Sequence, residues 1–321
     1  MKGTGVSMEY LVIGAGGTGG SIGAFMAEAG KDVTLIARGK HLEAIRKNGL
    51  RMETTVKGNY TVDPVKACDM EHYTGQPDVI FNCVKGYSLE ETIPFIKRVA
   101  KRDTVVIPIL NIYGTGERMQ QELPELLVTD GCIYIGAEIK EPGVIRQNSN
   151  IFRVVYGVRK PEEARSVLHQ VAADLKESDI EGIVSEDIKR DALLKFSFVS
   201  PMGACGVYYG TDAAAAQKEG KEREFFISLI KEVRTLAEAM GIHFITDIVK
   251  TNLELLDKLN PAASTSLQRD IRKGGNSEAD GLIFEVVRMG RKYNVPTPAY
   301  GMVAEKLGMS LSGTACPVDM V

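Results

Sequence analysis

The chain has no cysteine framework, no cluster of metal ligands, no membrane-length apolar run and almost no net charge. Its five cysteines (Cys68, Cys83, Cys132, Cys205 and Cys316) are scattered, odd in number and form no C-x-x-C pair. That pattern predicts reduced thiols in a cytoplasmic protein rather than disulfides. The four histidines also lack metal-ligand spacing, so no metal is expected. A formal charge of −3 gives no field that favours nucleic acid or an anionic membrane. The first apolar stretch is a glycine-rich turn rather than a signal-peptide core. There is no internal repeat and no low-complexity segment. What remains, 44% apolar and 25% charged residues over 321 positions, is the composition of a soluble globular protein with room for two domains.

The most informative stretch is Glu9-Tyr-Leu-Val-Ile-Gly-Ala-Gly-Gly-Thr-Gly-Gly20. Tyr10–Ile13 is short, apolar and ended by glycine, as a buried strand should be. Gly14, Gly16 and Gly19 follow in G-x-G-x-x-G spacing, and Ile22, Phe25, Met26 and Ala29 then recur at helical spacing. In that pattern the first glycine makes the tight turn, the second admits a pyrophosphate and the third lets helix and strand pack closely. Gly16, Gly17, Thr18 and Gly19 would present the N–H groups and positive dipole end of a helix to the phosphates. A second strand, Asp32–Ala37, follows at the distance of a βαβ unit, which makes a dinucleotide site the expectation. An NAD site usually carries an acid at the end of that strand. Here the strand runs into Arg38-Gly39-Lys40, which favours NADP, with Arg38 offering a planar fork to a 2′-phosphate. The alternative is a pair of solvated loop cations.

Further along, Val79–Val84 and Thr104–Leu110 read as buried parallel strands, with a helical pattern over Leu89–Ala100 between them. Strands alternating with helices predict a doubly wound α/β sheet whose crevice lies at the strands' carboxyl ends. Lys85 and Asn111 stand at two such ends; turn chemistry accounts for Gly86 and Gly114 beside them and less well for these two. Cys132–Lys140, Gly143–Gln147 and Ile151–Gly157 are expected to extend the sheet, Pro161–Ser178 to be a helix and Ile180–Val184 a last strand. From Glu186 strand signals stop and helical spacing takes over. The expected domains are therefore residues 8–185, α/β, and 186–321, all helical.

In the helical half, Lys195 is flanked by Leu193, Leu194, Phe196, Phe198 and Val199. An ammonium among hydrocarbon is costly unless paired or used, and desolvation suits a lysine that gives up and recovers a proton. The alternative is a lysine whose stem covers the helix while its head reaches water. Ser277 and Asp280 have capping-box spacing, which accounts for Glu278 in a first helical turn without any catalytic role. Ser266 reads as a hydroxyl near a helix start, and Asp270 with Arg272 as a structural pair.

Taken together, Gly14–Gly20, Asp32–Gly39, Cys83-Val-Lys85, Leu110-Asn111, Pro142-Gly-Val144, Lys195-Phe196 and Ser266–Asp270 with Glu278 resemble the ketopantoate reductases (2-dehydropantoate 2-reductases) in order and spacing. The resemblance covers nearly the whole chain after residue 8. It implies a Rossmann domain followed by a helical domain, with the active site in the cleft between them. The implied activity is NADPH-dependent reduction of the 2-dehydropantoate ketone, a step of pantothenate biosynthesis. By the same resemblance, Lys195 is the general acid, and Glu278 organises substrate and lysine. Ser266 binds the substrate end, Asn111 positions cofactor and substrate, Lys85 lies on the cofactor side, and Arg38 meets the 2′-phosphate.

The chain also departs from the family. Asparagines usually found four and eight residues after the lysine are Val199 and Gly203 here, and Ile112 replaces the glycine after Asn111. Ser200, about 100° round an ideal helix from Val199, is the remaining hydroxyl candidate for the substrate. A site built for a polar substrate loses discrimination when its partners become apolar. The expectation is therefore a small-molecule 2-oxo acid reductase, with ketopantoate the first choice and another 2-oxo acid the alternative. A non-catalytic NADP(H)-binding regulator is the reading outside enzymes. No nucleic-acid or membrane partner is expected, and the sequence leaves a homodimer open.

Overall fold

The apolar runs become parallel strands in the computed structural model of the protein, which describes residues 8–310. Cys316 lies outside them. The chain divides into two units between Ala192 and Leu193. The expected boundary at 185/186 falls seven residues earlier, because the helical pattern begins before the division and one helix runs through it.

The first unit is built from β1 (Glu9–Ile13), α1 (Gly17–Glu28), β2 (Asp32–Ile36), α2 (Gly39–Asn48), β3 (Leu50–Thr54), β4 (Gly58–Val62) and β5 (Lys66–Cys68). It continues with β6 (Val79–Asn82), α3 (Leu89–Val99), β7 (Val105–Pro108), α4 (Thr115–Glu122), β8 (Leu127–Val128) and β9 (Asp130–Tyr134). Then come β10 (Ala137–Glu141), β11 (Val144–Gln147), β12 (Arg153–Gly157), α5 (Val167–Glu177) and β13 (Glu181–Val184). The main sheet has the order β5-β2-β1-β6-β7-β8, every neighbouring pair parallel. Period-two alternation divides its side chains: Tyr10 and Val12 enter one core with α1, while Leu11 and Ile13 enter another with α3. This is the Rossmann-type doubly wound sheet that the sequence predicts.

The segments after residue 130 do not extend that sheet. They form two small ones, β10-β11-β3-β4 and β13-β12-β9. The single strand expected over Cys132–Lys140 is two strands in different sheets, divided at Ile135-Gly136. Leu50 and Met52 are buried while Arg51 is exposed, the alternation of a sheet covered on one face. The cover is α1, which contacts both this sheet and β2. Its small residues permit the sandwich: a Cβ at Gly20 would stand 2.1 Å from Ile145 Cδ1, and one at Gly23 would stand 2.2 Å from Leu35 Cδ2. The helix expected from Pro161 starts at Val167, after a 3-10 turn at Pro161–Glu163.

One polar cluster crosses this core. Asp174 on α5 accepts Lys31 Nζ at 2.8 Å and Gln170 Nε2 at 3.2 Å on one oxygen, and the Tyr10 hydroxyl on the other. Burial, then the bond to Asp174, holds the Tyr10 phenol far above its ordinary pKa, so it stays protonated and donates.

The second unit is helical: most of α6 (Ile188–Tyr209), then α7 (Ala213–Ala216), α8 (Lys221–Ala239), α9 (Ile248–Lys258), α10 (Ser266–Arg272), α11 (Glu285–Tyr293) and α12 (Pro298–Lys306). A π-helical turn, Asp280–Phe284, leads into α11. At the start of α12 the buried Glu232 carboxylate accepts the Ala299 and Tyr300 N–H groups at 2.7 and 3.1 Å, capping that helix from α8. Burial outweighs those two donors and pushes the Glu232 carboxyl up to about 6. The folded chain therefore holds this proton more tightly than the unfolded chain, whose carboxyl titrates near 4.5. The contribution to stability is complete below about pH 4.5 and is lost as pH rises through 6, a change of about 2 kcal/mol. Urea unfolding of the parent and of Glu232→Gln at pH 4.5 and 7 should show the parent's advantage shrinking across that window. Parallel pH profiles for the two proteins would remove the assignment. Among the described residues no helix is long and apolar enough to cross a membrane.

Candidate functional site

In the first unit the predicted residues gather along the carboxyl edge of the main sheet. The glycine turn follows β1, Arg38 follows β2, Lys85 follows β6 and Asn111 follows β7, and these four strands are consecutive in the sheet. The order reverses between β1 and β6, the switch point at which open α/β sheets bind ligands. Gly14 adopts φ +93°, and the N–H groups of Gly14 and Ala15 both donate to the Ile36 carbonyl, at 3.1 and 2.9 Å. A Cβ at Gly19 would stand 2.3 Å from the Gly14 carbonyl oxygen, so only glycine permits this approach of helix to turn. Gly16 differs: nothing lies within 4 Å of the Cβ it lacks. It is the N-cap of α1, and neither a capping side chain nor an acid in the first turn competes for the helix N-terminus. An open cradle beside an uncapped helix start suits a dinucleotide pyrophosphate.

Arg38 is exposed at the N-cap of α2, with Lys40 exposed in the first turn. No carboxylate stands between Ile36 and Lys40. Lys85 is half-buried and leads into a 3-10 turn at Gly86–Ser88, whose Ser88 N–H returns to the Lys85 carbonyl at 2.9 Å. The strand before it is anchored by Asn82, fully buried, whose Nδ2 donates to Thr92 Oγ1 on α3 at 2.9 Å. Asn111 is half-buried at the start of the loop into α4. That loop is pinned at Gly116, whose N–H donates to Asp130 Oδ1 at 2.9 Å. Burial pushes the Asp130 carboxyl up against the opposing pull of Arg159, 3.3 Å away. Asn82 and Asp130 escape sequence reading; a polar residue inside the apolar run Val79–Val84 is the one signal Asn82 gives.

In the second unit α6 is the common support. Lys195 is half-buried between Leu193 and Phe196, both in the core. Pro201, six residues on, has no N–H for the Ser197 carbonyl. Asn252 on α9, itself buried, supplies the missing donor: its Nδ2 lies 2.8 Å from Ser197 O and 3.0 Å from Ser197 Oγ. The helix is thus fastened half a turn from the lysine at the point where its own ladder is broken. Val199 is half-buried one turn past Lys195. At Gly203 a Cβ would stand 3.1 Å from Leu267 Cδ2 and 3.4 Å from Thr265 Oγ1, so α10 packs directly on the α6 backbone there. Thr265 and Gln268 form the capping box of α10, which makes Ser266 its first residue, half-buried.

Glu278 is buried, 5% exposed, and its carbonyl accepts the Leu282 N–H at 2.9 Å. The capping box expected of Ser277 and Asp280 does not form: the helix starts with the π turn, and Asp280 is paired instead with Arg288 at 2.9 Å. Arg272 pairs with Asp212 at 2.7 Å. Ser200 corrects an expectation. It is wholly enclosed, donating to the Leu282 carbonyl at 2.6 Å and lying 2.6 Å from the Tyr300 hydroxyl. Its hydroxyl ties α6 to the π turn and α12 and faces no solvent from which a substrate could reach it. Lys195, the start of α10 with Ser266, and the π turn after Glu278 are all attached to α6; Asn111, Lys85 and the glycine turn belong to the first unit.

Known proteins match both halves of the chain. Residues 10–161 match the family model for ketopantoate reductase PanE/ApbA, and residues 187–310 match the model for its C-terminal part. The chain is 34% identical to a 2-dehydropantoate 2-reductase of Archaeoglobus fulgidus, with 88% of this chain and 91% of that one covered. It is 27% identical to the oxidoreductase YkpB of Bacillus subtilis, over 94% of this chain and 98% of that one. Among solved structures, 2-dehydropantoate 2-reductase from Porphyromonas gingivalis superimposes with a TM-score of 0.80 at 28% identity, covering 94% of this chain and 99% of that one. With both halves matched in order and the glycine turn and the lysine helix in the expected units, the chain belongs to the ketopantoate reductase family of oxidoreductases.

Proposed function

We propose that the protein reduces the ketone of a 2-oxo acid to the 2-hydroxy acid with NADPH, 2-dehydropantoate being the first substrate to try. The observation that carries this reading is Lys195, half-buried among core side chains on a helix fastened beside it by Asn252. When bound, NADPH supplies the hydride. Gly16–Gly19 hold its pyrophosphate through backbone N–H groups, and Arg38 meets the 2′-phosphate with its fork of donors. Lys195 passes a proton from its ammonium to the carbonyl oxygen as the carbonyl carbon is reduced, and its positive charge steadies the developing alkoxide. The neutral amine is then reprotonated by water. Glu278 aligns the lysine and substrate, Ser266 receives the substrate carboxylate, and Asn111 with Lys85 orients the reacting ends.

Val199 and Gly203 favour a second reading, a 2-oxo acid with a less polar substituent than ketopantoate. Val199 offers hydrocarbon one turn from Lys195, and Leu267 with Thr265 fills the space into which a side chain at 203 would extend. Both readings are tested by following NADPH oxidation by absorbance with 2-dehydropantoate, 2-oxoisovalerate and benzoylformate, each repeated with NADH. Turnover with NADPH on at least one acid is expected. Arg38→Ala should then lose about 10–100-fold of the preference for NADPH over NADH, the worth of charge-assisted bonds to one phosphate. Tight NADPH binding without turnover on any 2-oxo acid would replace the reductase by a regulator.

A further inference from the structure

His41, the third residue of α2, has no part in the function proposed above, yet it makes one hydrogen bond to the glycine turn and another to the β10–β11 hairpin. Its Nδ1 accepts the Gly143 N–H at 3.0 Å, and its Nε2 lies 2.8 Å from the Ala15 carbonyl oxygen. A ring that accepts at Nδ1 carries its proton on Nε2, so it is neutral and donates to Ala15. Burial favours the neutral ring by lowering its pKa.

Each bond fixes a different piece of backbone. Ala15 is tied through its N–H to β2 and through its carbonyl to His41. The Ala15–Gly16 peptide is trans, so a carbonyl turned towards His41 turns the Gly16 N–H the opposite way. Gly16 is also the turn residue with open space in front of it. On the other side, Gly143 lies between β10 and β11, and its carbonyl accepts the Arg51 N–H at 2.9 Å. The same hairpin begins over the first turn of α1, where a Cβ at Gly17 would stand 2.5 Å from the Ala137 carbonyl oxygen. One imidazole thus joins the turn that faces the ligand to the hairpin that covers the helix behind it.

We propose that His41 is a positioning residue for the dinucleotide, orienting the Ala15–Gly16 peptide towards the pyrophosphate and latching the β10–β11 hairpin to the glycine turn. This rests on the reading that the turn binds NADPH. The test measures NADPH affinity by nucleotide fluorescence and amide exchange of the ligand-free protein, for the parent and for His41→Phe, His41→Gln and His41→Asn. His41→Phe should weaken NADPH about tenfold or more, the worth of a lost hydrogen bond with its partner left unpaired. It should also speed exchange over residues 14–20 and 137–144. His41→Gln, whose amide reaches the Nε2 position, should recover most of the affinity. His41→Asn, whose carbonyl stands near the Nδ1 position, should recover protection of the hairpin alone. Parental affinity and exchange in all three variants would overturn the proposal. If the parent itself fails to bind NADPH, the cofactor reading falls, and exchange over the two segments still decides whether the latch exists.

Discussion

Replacing Lys195 by alanine is expected to lower kcat by about 10²–10⁴-fold, the range supplied by a positioned general acid, while NADPH affinity stays at the parental value. The separation follows from where the residues lie. The glycine turn and Arg38 are in the first unit, whereas Lys195 is in the second and is not expected to take part in holding the nucleotide. Lys195→Arg divides the effect further. It keeps a positive charge near the carbonyl oxygen but has no proton to yield at accessible pH, so it should recover little of the loss. Single-turnover NADPH oxidation, with affinity measured separately by fluorescence titration, reads both quantities. A kcat near the parental value in Lys195→Ala would end the mechanism, because no other described residue has been assigned the proton.

Truncating Asp174 to alanine should cost about 2–4 kcal/mol of folding stability, mostly the penalty for leaving the buried Tyr10 phenol unpaired, with a smaller part from the half-buried ion pair to Lys31. The carboxylate is the shared acceptor for Lys31, Gln170 and Tyr10, and its removal strands a buried phenol and leaves the Lys31 ammonium with Glu177 alone. Tyr10→Phe removes only one donor and should cost about 1 kcal/mol. Because both substitutions act on one cluster, the double variant should be less damaged than the sum of the two. Urea unfolding of the three variants measures this. A loss below about 1 kcal/mol in Asp174→Ala would mean that Lys31 finds its other partner, Glu177 at 2.5 Å, sufficient.

These two positions show what the sequence discloses. Lys195 stands out because local chemistry is enough: a charge inside an apolar helical pattern needs an explanation wherever it is found. Asp174 does not, since Tyr10 and Lys31 lie far away in the chain and only the fold brings them to it. The glycine turn, the helices of the second unit and the buried strands were legible for the same local reason. The two small sheets were not. A strand's pattern tells which face is buried but does not name its neighbour, and Cys132–Lys140 crosses from one sheet to another with only Gly136 to mark the change. The sequence does not disclose the burial of Ser200, because an exposed and a buried hydroxyl look alike in it, and its partners, the Leu282 carbonyl and Tyr300, lie about 80 and 100 residues on. Ser266 does lie at a helix start, although the Thr265–Gln268 box that caps it gave no notice in the sequence reading, and no capping box forms at Ser277, because the π turn takes over where a capped α-helix would begin.

That wide turn makes the direction of Glu278 a matter of length. A π turn accommodates one residue more than an α-helix needs over the same rise. Deleting a single residue from 280–284 would let the backbone close into regular α-helix and swing everything upstream by about 100° around the axis. The helix beyond would keep its packing while Glu278 moved to another quadrant. A change of one residue in the length of this turn would therefore redirect Glu278 while leaving the sequence of α11 untouched.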